Sequence, residues 1–203
     1  MHFKIMLSLL VWLPSQMASA GWDLSLLRTL GEECAVESTE VEDSKLTVRF
    51  SRFTAELLEA ATEHNSPAAQ CSVVVGFKVP SGHRLDILTH RAFAYVTKNA
   101  DSRVSLRANI AVNNQFFYLG GMLPEGSVLD QKVLLYKSFS VGESFPSCSS
   151  SETRVDVTLH WQLVTEATAV GGRAKLALAG EDLWTDAWIE TKSCEESTHT
   201  LAL

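Results

Sequence analysis

The chain has 203 residues, of which 46% are hydrophobic, and this is enough for one domain of ordinary size with a real core. Its 17 Lys and Arg residues are scattered among 24 Asp and Glu residues, which gives a formal net charge of -7. This acidic balance argues against nucleic acid as the main partner. No metal-binding or cofactor-binding motif such as H-E-x-x-H occurs, so no metal or cofactor is predicted.

An export signal is predicted at the start of the chain. Lys4 supplies a positive charge, residues 5–13 form a short apolar run, and Ala18-Ser19-Ala20 has the form of a cleavage site. The run is shorter than the roughly 20 apolar residues that cross a bilayer, and no later run approaches that length. We therefore predict a signal peptide over residues 1–20, one mature domain over residues 21–203, and a secreted or periplasmic location.

Four cysteines lie in the predicted mature part, at Cys34, Cys71, Cys148 and Cys194. An even number of cysteines in an exported chain predicts disulfides, here two. No pair has the C-x-x-C spacing of a structural zinc site or a thioredoxin-type motif. Four cysteines allow three pairings, and their spacing alone does not choose among them.

The first part of the mature chain combines ambiguous and clear segments. Residues 21–31 fit either a short helix or an extended lead-in. The acidic residues 32–43 are interpreted as a solvated loop rather than a calcium loop, because the EF-hand order is absent. Residues 45–50 alternate apolar and polar side chains and predict a half-buried strand. Helix propensity favours a helix over residues 52–63, with a longer strand and a loop as the alternative.

The stretch 70–96 is predicted to be the central hairpin of the domain. Residues 72–79 are rich in valine on both faces, which is typical of a buried strand. Pro80-Ser81-Gly82 has turn chemistry, because proline presets φ and glycine permits a positive φ. Residues 84–96 form the return strand. Their apolar positions change parity, which predicts a bulge.

The second half continues with short strands and turns. Strands are predicted over residues 103–112, 115–119, 131–139, 154–164 and 173–179, with a turn at Asn113-Asn114, loops at 120–126 and 142–151, and a hairpin turn at Gly171-Gly172. About eight short strands with almost no helix predict an all-β fold, an antiparallel β-sandwich.

Six short motifs follow one another in a characteristic order. They are LTVRF at 46–50, QC at 70–71, VPSG at 79–82, RAFAY at 91–95, PSC at 146–148 and the segment from Trp188 to Cys194. In this order the chain resembles a secreted microbial family catalogued as domain of unknown function 4360. The resemblance implies the same four-cysteine frame and β fold, and it transfers no activity and no site residue. With that frame, the order of the cysteines favours the pairs Cys34–Cys71 and Cys148–Cys194.

The sequence contains no evident catalytic constellation. The histidines are scattered, and no G-x-S-x-G elbow occurs. His90 and His160 lie on predicted strands and could form a cross-strand pair, although a structural role is the favoured interpretation. The carboxylates of Glu181-Asp182, or of Asp186 and Glu190, are weak candidates for a glycosidase pair, because that mechanism needs two carboxyl groups about 5–10 Å apart across a cleft.

Aromatic and basic side chains offer a candidate binding surface instead. It consists of the aromatic residues Phe117, Tyr118 and Trp184 and the basic residues His83, Arg84 and Arg91. Exposed aromatic rings stack on sugars or bind partner surfaces, and core packing is the alternative. The basic residues suggest an acidic surface polymer as a ligand, and a solvated sheet face is the alternative.

These observations predict a secreted, non-enzymatic binding or surface-interaction module, whose partner is a glycan or a cell-surface protein. A secreted hydrolase with a site assembled from distant strands is one alternative. A structural protein of the envelope or matrix is the other.

Overall fold

The computed structural model describes residues 20–122, 127–145 and 148–194, and these residues form β-strands and no helix. The strands are β1 (Gly21–Leu30), β2 (Cys34–Glu42), β3 (Lys45–Leu57), β4 (Ala68–Val79), β5 (His83–Lys98), β6 (Ser102–Val112), β7 (Gln115–Met122), β8 (Val128–Ser140), β9 (Thr153–Ala167), β10 (Ala174–Ala177) and β11 (Trp184–Ser193). The predicted signal peptide, apart from Ala20, lies outside the described residues.

The strands form two antiparallel sheets, so the prediction of an all-β sandwich is confirmed. One sheet has the order β1-β4-β9-β6-β7, and the other has the order β10-β3-β11-β5-β8, with β2 paired to β3. Both β10 and β11 pair with β3 and β5. The strands β10 and β11 therefore lie end to end between β3 and β5 in the six-stranded sheet.

The core lies between the sheets and is built by the alternating residues of each strand. Trp161, Phe50, Phe53 and Phe77 are fully buried. The rings of Phe50 and Trp161 meet edge to face with their centroids 5.5 Å apart, and these residues belong to opposite sheets. Each large side chain contributes about 2–3 kcal/mol through the apolar surface it removes from water.

Two disulfides tie the sandwich together, and they are the predicted pairs. Cys34–Cys71 joins β2 to β4 and therefore links the two sheets. Cys148–Cys194 joins the loop after β8 to the residue that follows β11. Disulfides persist in oxidising compartments, so both bonds fit an extracellular or periplasmic protein. None of the described segments forms a helix that could cross a membrane.

The predicted central hairpin is wrong, because β4 and β5 belong to different sheets. Val79 pairs with Thr153 in the five-stranded sheet, whereas His83 pairs with Ser193 in the six-stranded sheet. The turn at residues 80–82 thus carries the chain across the sandwich. The same correction applies at residues 171–172, where the predicted hairpin turn connects β9 of one sheet to β10 of the other.

Two local predictions are also wrong. The acidic residues 32–43, predicted as a loop, contain β2, an edge strand whose carboxylates are tolerated because they face water. The helix favoured over residues 52–63 is absent; the alternative prediction, a longer strand and a loop, is correct, since β3 continues to Leu57 and a loop follows. Residues 21–31 were predicted to be either a short helix or an extended lead-in, and the extended alternative is confirmed.

Other local predictions are confirmed. The bulge in β5 lies at Asp86, which has no partner in the ladder to β11, where Leu85 pairs with Thr191 and Ile87 with Glu190. Residues 113–114 make a two-residue hairpin turn in which both asparagines have positive φ, 46° and 67°. The described chain has eleven strands rather than about eight, because β1, β2 and β11 are added to the predicted set.

Candidate binding face of the six-stranded sheet

Three neighbouring strands of the six-stranded sheet present apolar side chains on its outer side. Residues 184, 186 and 188 of β11 pair with residues 93, 91 and 89 of β5, which pair in turn with residues 134, 136 and 138 of β8. Directly opposed residues of an antiparallel ladder point to the same face of the sheet. We call the resulting surface the aromatic face; it consists of Phe93, Leu134, Tyr136, Trp184 and Trp188 around the pair Arg91 and Asp186.

The aromatic face is unusual for its position. The solvent side of an antiparallel sheet normally carries polar residues. Here Leu134 is 53% exposed and Tyr136 is 61% exposed, while Phe93, Trp184 and Trp188 are half-buried. The rings of Phe93 and Trp184 lie 5.8 Å apart at an angle of 36°. A contiguous apolar patch of this kind marks an interaction site more often than scattered apolar residues do.

Arg91 lies at the centre of this patch and is held from several sides. Its Nε donates to Asp186 Oδ1 over 3.1 Å, and its Nη2 donates to Asp186 Oδ2 over 2.7 Å. Its guanidinium carbon lies 4.1 Å from the ring centroid of Trp188 and 5.0 Å from that of Trp184. Bidentate pairing and stacking on aromatic rings are both favoured by the planar guanidinium. The centre of the face is therefore rigid.

Asp186 depends on this arrangement. Its side chain is only 4% exposed. Burial raises the pKa of Asp186, and the hydrogen bonds and positive charge of Arg91 act in the opposite direction. A carboxylate in such a place is stable only with its partner, because an unpaired buried charge is costly.

Polar groups border the aromatic face on the side of Trp188. Thr89 Oγ1 and Ser138 Oγ are 2.7 Å apart, and the Tyr136 hydroxyl lies 2.9 Å from the same Ser138 Oγ. These three hydroxyl groups form a short chain. Hydroxyl groups both donate and accept hydrogen bonds, so this border can serve a polyhydroxylated ligand.

The opposite border leads into a cleft of about 470 Å³, which Tyr95, Lys132 and Asp182 help to line. Lys132 pairs with Asp182 over 2.8 Å, and this hydrogen bond lowers the pKa of Asp182. The Tyr95 hydroxyl donates to Asp130, and this bond raises the pKa of Tyr95. The aromatic centre thus lies between two polar borders, a common plan for ligand sites.

The residues of the predicted binding surface do not lie on one surface. Trp184 and Arg91 come together on the aromatic face. Tyr118 is 60% exposed on the outer side of the other sheet, where it pairs with Asn109. Phe117 packs against the core instead, with its ring 5.6 Å from that of Phe139.

His83 and Arg84 lie at the other end of β5, beside Cys148. Seven residues of extended strand, about 23 Å, separate Arg84 from Arg91. Whether any of the predicted residues bind a ligand stays a prediction.

Sequence reasoning missed several members of the aromatic face. Phe93, Leu134 and Tyr136 were not predicted, and Asp186 was considered only as a catalytic carboxylate. The sequence contains a signal for Leu134 and Tyr136, because β8 carries apolar residues at four consecutive positions, 133–136. Such a run puts apolar side chains on both faces of a strand.

The two strand histidines do not form the cross-strand pair that was considered, because they belong to opposite sheets. His90 is fully buried, and burial lowers its pKa to about 3. Trp161 Nε1 donates to His90 Nε2 over 3.2 Å, while the Thr185 hydroxyl lies 2.9 Å from that nitrogen. These contacts give His90 a structural role.

A hydrolytic site finds little support in the described ranges. His160 Nδ1 lies 2.7 Å from Ser72 Oγ, and burial lowers the pKa of His160. No described carboxylate forms a hydrogen bond with this histidine, so the pair lacks the third member of a triad. Asp186 and Glu190 are about 13 Å apart along β11, further than a glycosidase pair allows. The described residues also form no group of three side chains that could hold a metal ion.

Comparison with known proteins gives only distant likenesses. No family model and no curated protein matches the chain. Among solved structures, it is similar to the carbohydrate-binding module TmCBM61 in complex with β-1,4-galactotriose, with 9% identity, a TM-score of 0.28 and coverage of 84% of this chain and 91% of that one.

It is also similar to the enzymatically active domain of tailspike protein 4 from bacteriophage CBA120, with 7% identity, a TM-score of 0.24 and coverage of 82% of this chain and 19% of that one. A third likeness is to the GH31 α-xylosidase of Xanthomonas citri, with 11% identity, a TM-score of 0.23 and coverage of 83% and 19%. The chain therefore spans about a fifth of the length of these last two proteins. Likenesses of this strength do not bear on function.

Proposed function

We propose that the protein is a non-enzymatic binding module and that its aromatic face binds a glycan. One observation carries the proposal. Five apolar side chains from three strands gather on the outer side of a sheet, around an Arg91–Asp186 pair that is already neutralised and fixed. This arrangement offers a flat apolar surface with hydrogen-bonding groups at its borders.

The chemistry of the face suits a sugar better than a purely apolar ligand. A sugar ring has an apolar C–H face and a rim of hydroxyl groups. Indole rings at Trp184 and Trp188 can receive the C–H face, while the hydroxyl chain at Ser138 can bond the rim. The Nη1 protons of Arg91 are not used by Asp186 and are left to donate to a ligand. Because the site is rigid, binding costs little side-chain ordering.

We also propose that residues 1–20 are removed on export, and that the protein belongs to the family that its motif order resembles. The two disulfides support an oxidising destination. Mass spectrometry of the exported protein tests the first point, since a mature N-terminus at Gly21 is expected. An intact N-terminus on the exported protein would contradict it.

The aromatic face is tested by binding of the purified protein to a glycan panel, followed by titration of each glycan that is retained. We expect W184A and W188A each to weaken binding at least tenfold, since about 1.4 kcal/mol per residue suffices and central aromatic residues are common hot spots. Failure to bind any glycan would overturn the proposal.

Two tyrosines provide a matched control. Tyr136 and Tyr118 are 61% and 60% exposed, but Tyr136 lies on the aromatic face and Tyr118 lies on the opposite sheet. We expect Y136A to reduce glycan binding several-fold and Y118A to leave it unchanged. The reverse result would move the site to the five-stranded sheet. Release of new reducing ends from a bound glycan would favour the hydrolase alternative.

A further inference from the structure

A second candidate site is a pocket at the start of β5. His83, Arg84 and Arg154 help to line a pocket of about 430 Å³, together with polar residues that include Ser149 and Thr153. None of the described residues that line this pocket is acidic. The protein has a net charge of -7, so this pocket is more positive than the protein as a whole.

Arg84 is the unusual member of this group. Its Nε is buried and has no hydrogen-bond partner. Within the part of the chain that the structure describes, its guanidinium also forms no ion pair. A buried donor without an acceptor is unfavourable, and more so when it is charged. The pocket therefore lacks an acceptor at Arg84.

The other two basic residues have partners of their own. Arg154 pairs with Asp23 over 3.1 Å. His83 Nδ1 donates to the carbonyl oxygen of Ser81 over 3.0 Å. Lys192 lies opposite Arg84 in the β5–β11 ladder and adds positive charge beside it.

One acidic group lies near Arg84. Asp86 Oδ1 is 3.1 Å from the position that a Cβ on Gly142 would take, and Arg84 Cζ is 4.0 Å from the same position. Among the described ion pairs there is none between these two side chains, so Asp86 leaves Arg84 unpaired and would repel an anion bound beside it. Removing this carboxylate should strengthen any anion bound in the pocket.

The backbone around the pocket is fixed. The amide nitrogen of Gly82 donates to the carbonyl oxygen of Ser149 over 2.8 Å, and that of Cys194 donates to the carbonyl oxygen of Gly82 over 2.9 Å. The disulfide Cys148–Cys194 joins the same two segments. The backbone that carries the basic residues is thus fixed before a ligand binds. Binding therefore requires little further ordering of this part of the chain.

We propose that this pocket binds an oxyanion, the carboxylate or sulfate group of a ligand, with Arg84 as the principal donor. Arginine is well suited to both groups, because its planar donors match their oxygen geometry. The site is separate from the aromatic face and does not depend on the function proposed for it. Because Arg84 Nε is buried, a small shift of the Arg84 side chain is needed for a bound ligand group to supply its missing acceptor.

The probes are inorganic sulfate and glucuronate, each compared with chloride at equal ionic strength. NMR of the arginine Nε–Hε resonances should show one resonance, assigned to Arg84 by its loss in R84Q, that shifts saturably with at least one oxyanion and not with chloride. The preferred probe distinguishes sulfate from carboxylate recognition. Shifts that are equal in chloride, or that grow without saturation, would overturn the proposal.

Variants test the role of Arg84 by the rise in melting temperature that the preferred anion causes. We expect R84Q and R84K to lose most of this rise, D86N to enlarge it, and R107Q, at an exposed arginine of the other sheet, to retain it. R84K keeps the charge and lacks Nε, so it remains informative if R84Q folds poorly. If the melting temperature of R84K rises as much as that of the wild type, Arg84 Nε does not take part in anion binding.

Discussion

The substitution R91M tests how the centre of the aromatic face is built. Methionine keeps an apolar chain of similar length between the two indole rings but removes the guanidinium. Asp186, only 4% exposed, then loses both hydrogen bonds from Arg91. The loss of an ion-pair partner costs about 3–5 kcal/mol when the remaining charge is fully buried. Arg91 is itself 30% exposed, so water can enter, and we expect R91M to lower the free energy of unfolding by about 3 kcal/mol at pH 7.

The loss in R91M should depend on pH. Burial already raises the pKa of Asp186 above 3.8, and removal of Arg91 takes away the first of the groups that oppose this. A carboxyl group whose folded pKa exceeds its unfolded pKa favours folding most when it is protonated. Its contribution is lost as the pH rises through the folded value. The deficit of R91M relative to the wild type should therefore be small near pH 4 and largest at pH 7.

Urea unfolding at pH 4 and pH 7 measures this deficit directly. The double variant R91M/D186N should recover most of the stability that R91M loses at pH 7, because no buried carboxylate is then left unpaired. R107M is the matched control, since Arg107 is exposed on the other sheet. A loss below about 1 kcal/mol in R91M at pH 7, or the same loss at both pH values, would refute this account of the pair.

Two other positions give predictions for stability. His90 is buried and neutral, with a pKa of about 3. Below pH 6.5 this histidine is protonated in the unfolded chain but not in the folded protein. It should therefore lower the free energy of unfolding by about 1 kcal/mol for each pH unit as the pH falls. Urea unfolding at pH 7 and pH 5 should show a smaller loss in H90L than in the wild type or in H64L, at an exposed histidine, and equal losses would argue against it. In G76A, the new Cβ would lie 2.5 Å from Arg154 Nε and would displace the ion pair with Asp23, at a cost of about 1–2 kcal/mol. The same substitution in an R154A background should cost nothing, and an equal cost in both backgrounds would disprove the clash.

The alternation of side chains predicts which face of a strand is buried, but not which sheet the strand joins. Residues 72–79 and 84–96 were correctly predicted as strands, and the turn between them has the chemistry of a hairpin. The same turn chemistry serves a connection that crosses from one sheet to the other. The choice is made by partners far along the chain, since Val79 pairs with Thr153 and His83 pairs with Ser193.

A bulge explains why the second half of β3 was not favoured as a strand. Ser51 has no partner in the ladder to β2, because Phe50 pairs with Val36 and Arg52 pairs with Ala35. Buried apolar positions are therefore even-numbered up to Phe50 and odd-numbered from Phe53. If the apolar residues are assumed to keep one parity, the strand pattern is lost at this point, and helix propensity then favours a helix.

The aromatic face shows the same limit. Trp184 and Arg91 were each predicted as candidate binding residues, because an exposed ring and an exposed cation are recognisable by type. Their contact depends on the register between β5 and β11, which no local pattern specifies. Tyr136 enters the face only because β8 pairs with the other side of β5.

The position of β11 bears on the order in which the protein can assemble. Its residues separate β3 from β5 and pair with both, although they are the last strand in the described chain. During synthesis from the N-terminus, β3 and β5 are available early, but their ladders to β11 can form only after residues 185–188 and 184–193, respectively, have been made. The same event brings Cys194 to Cys148. The six-stranded sheet and its aromatic face therefore cannot be complete before the last described strand has been made.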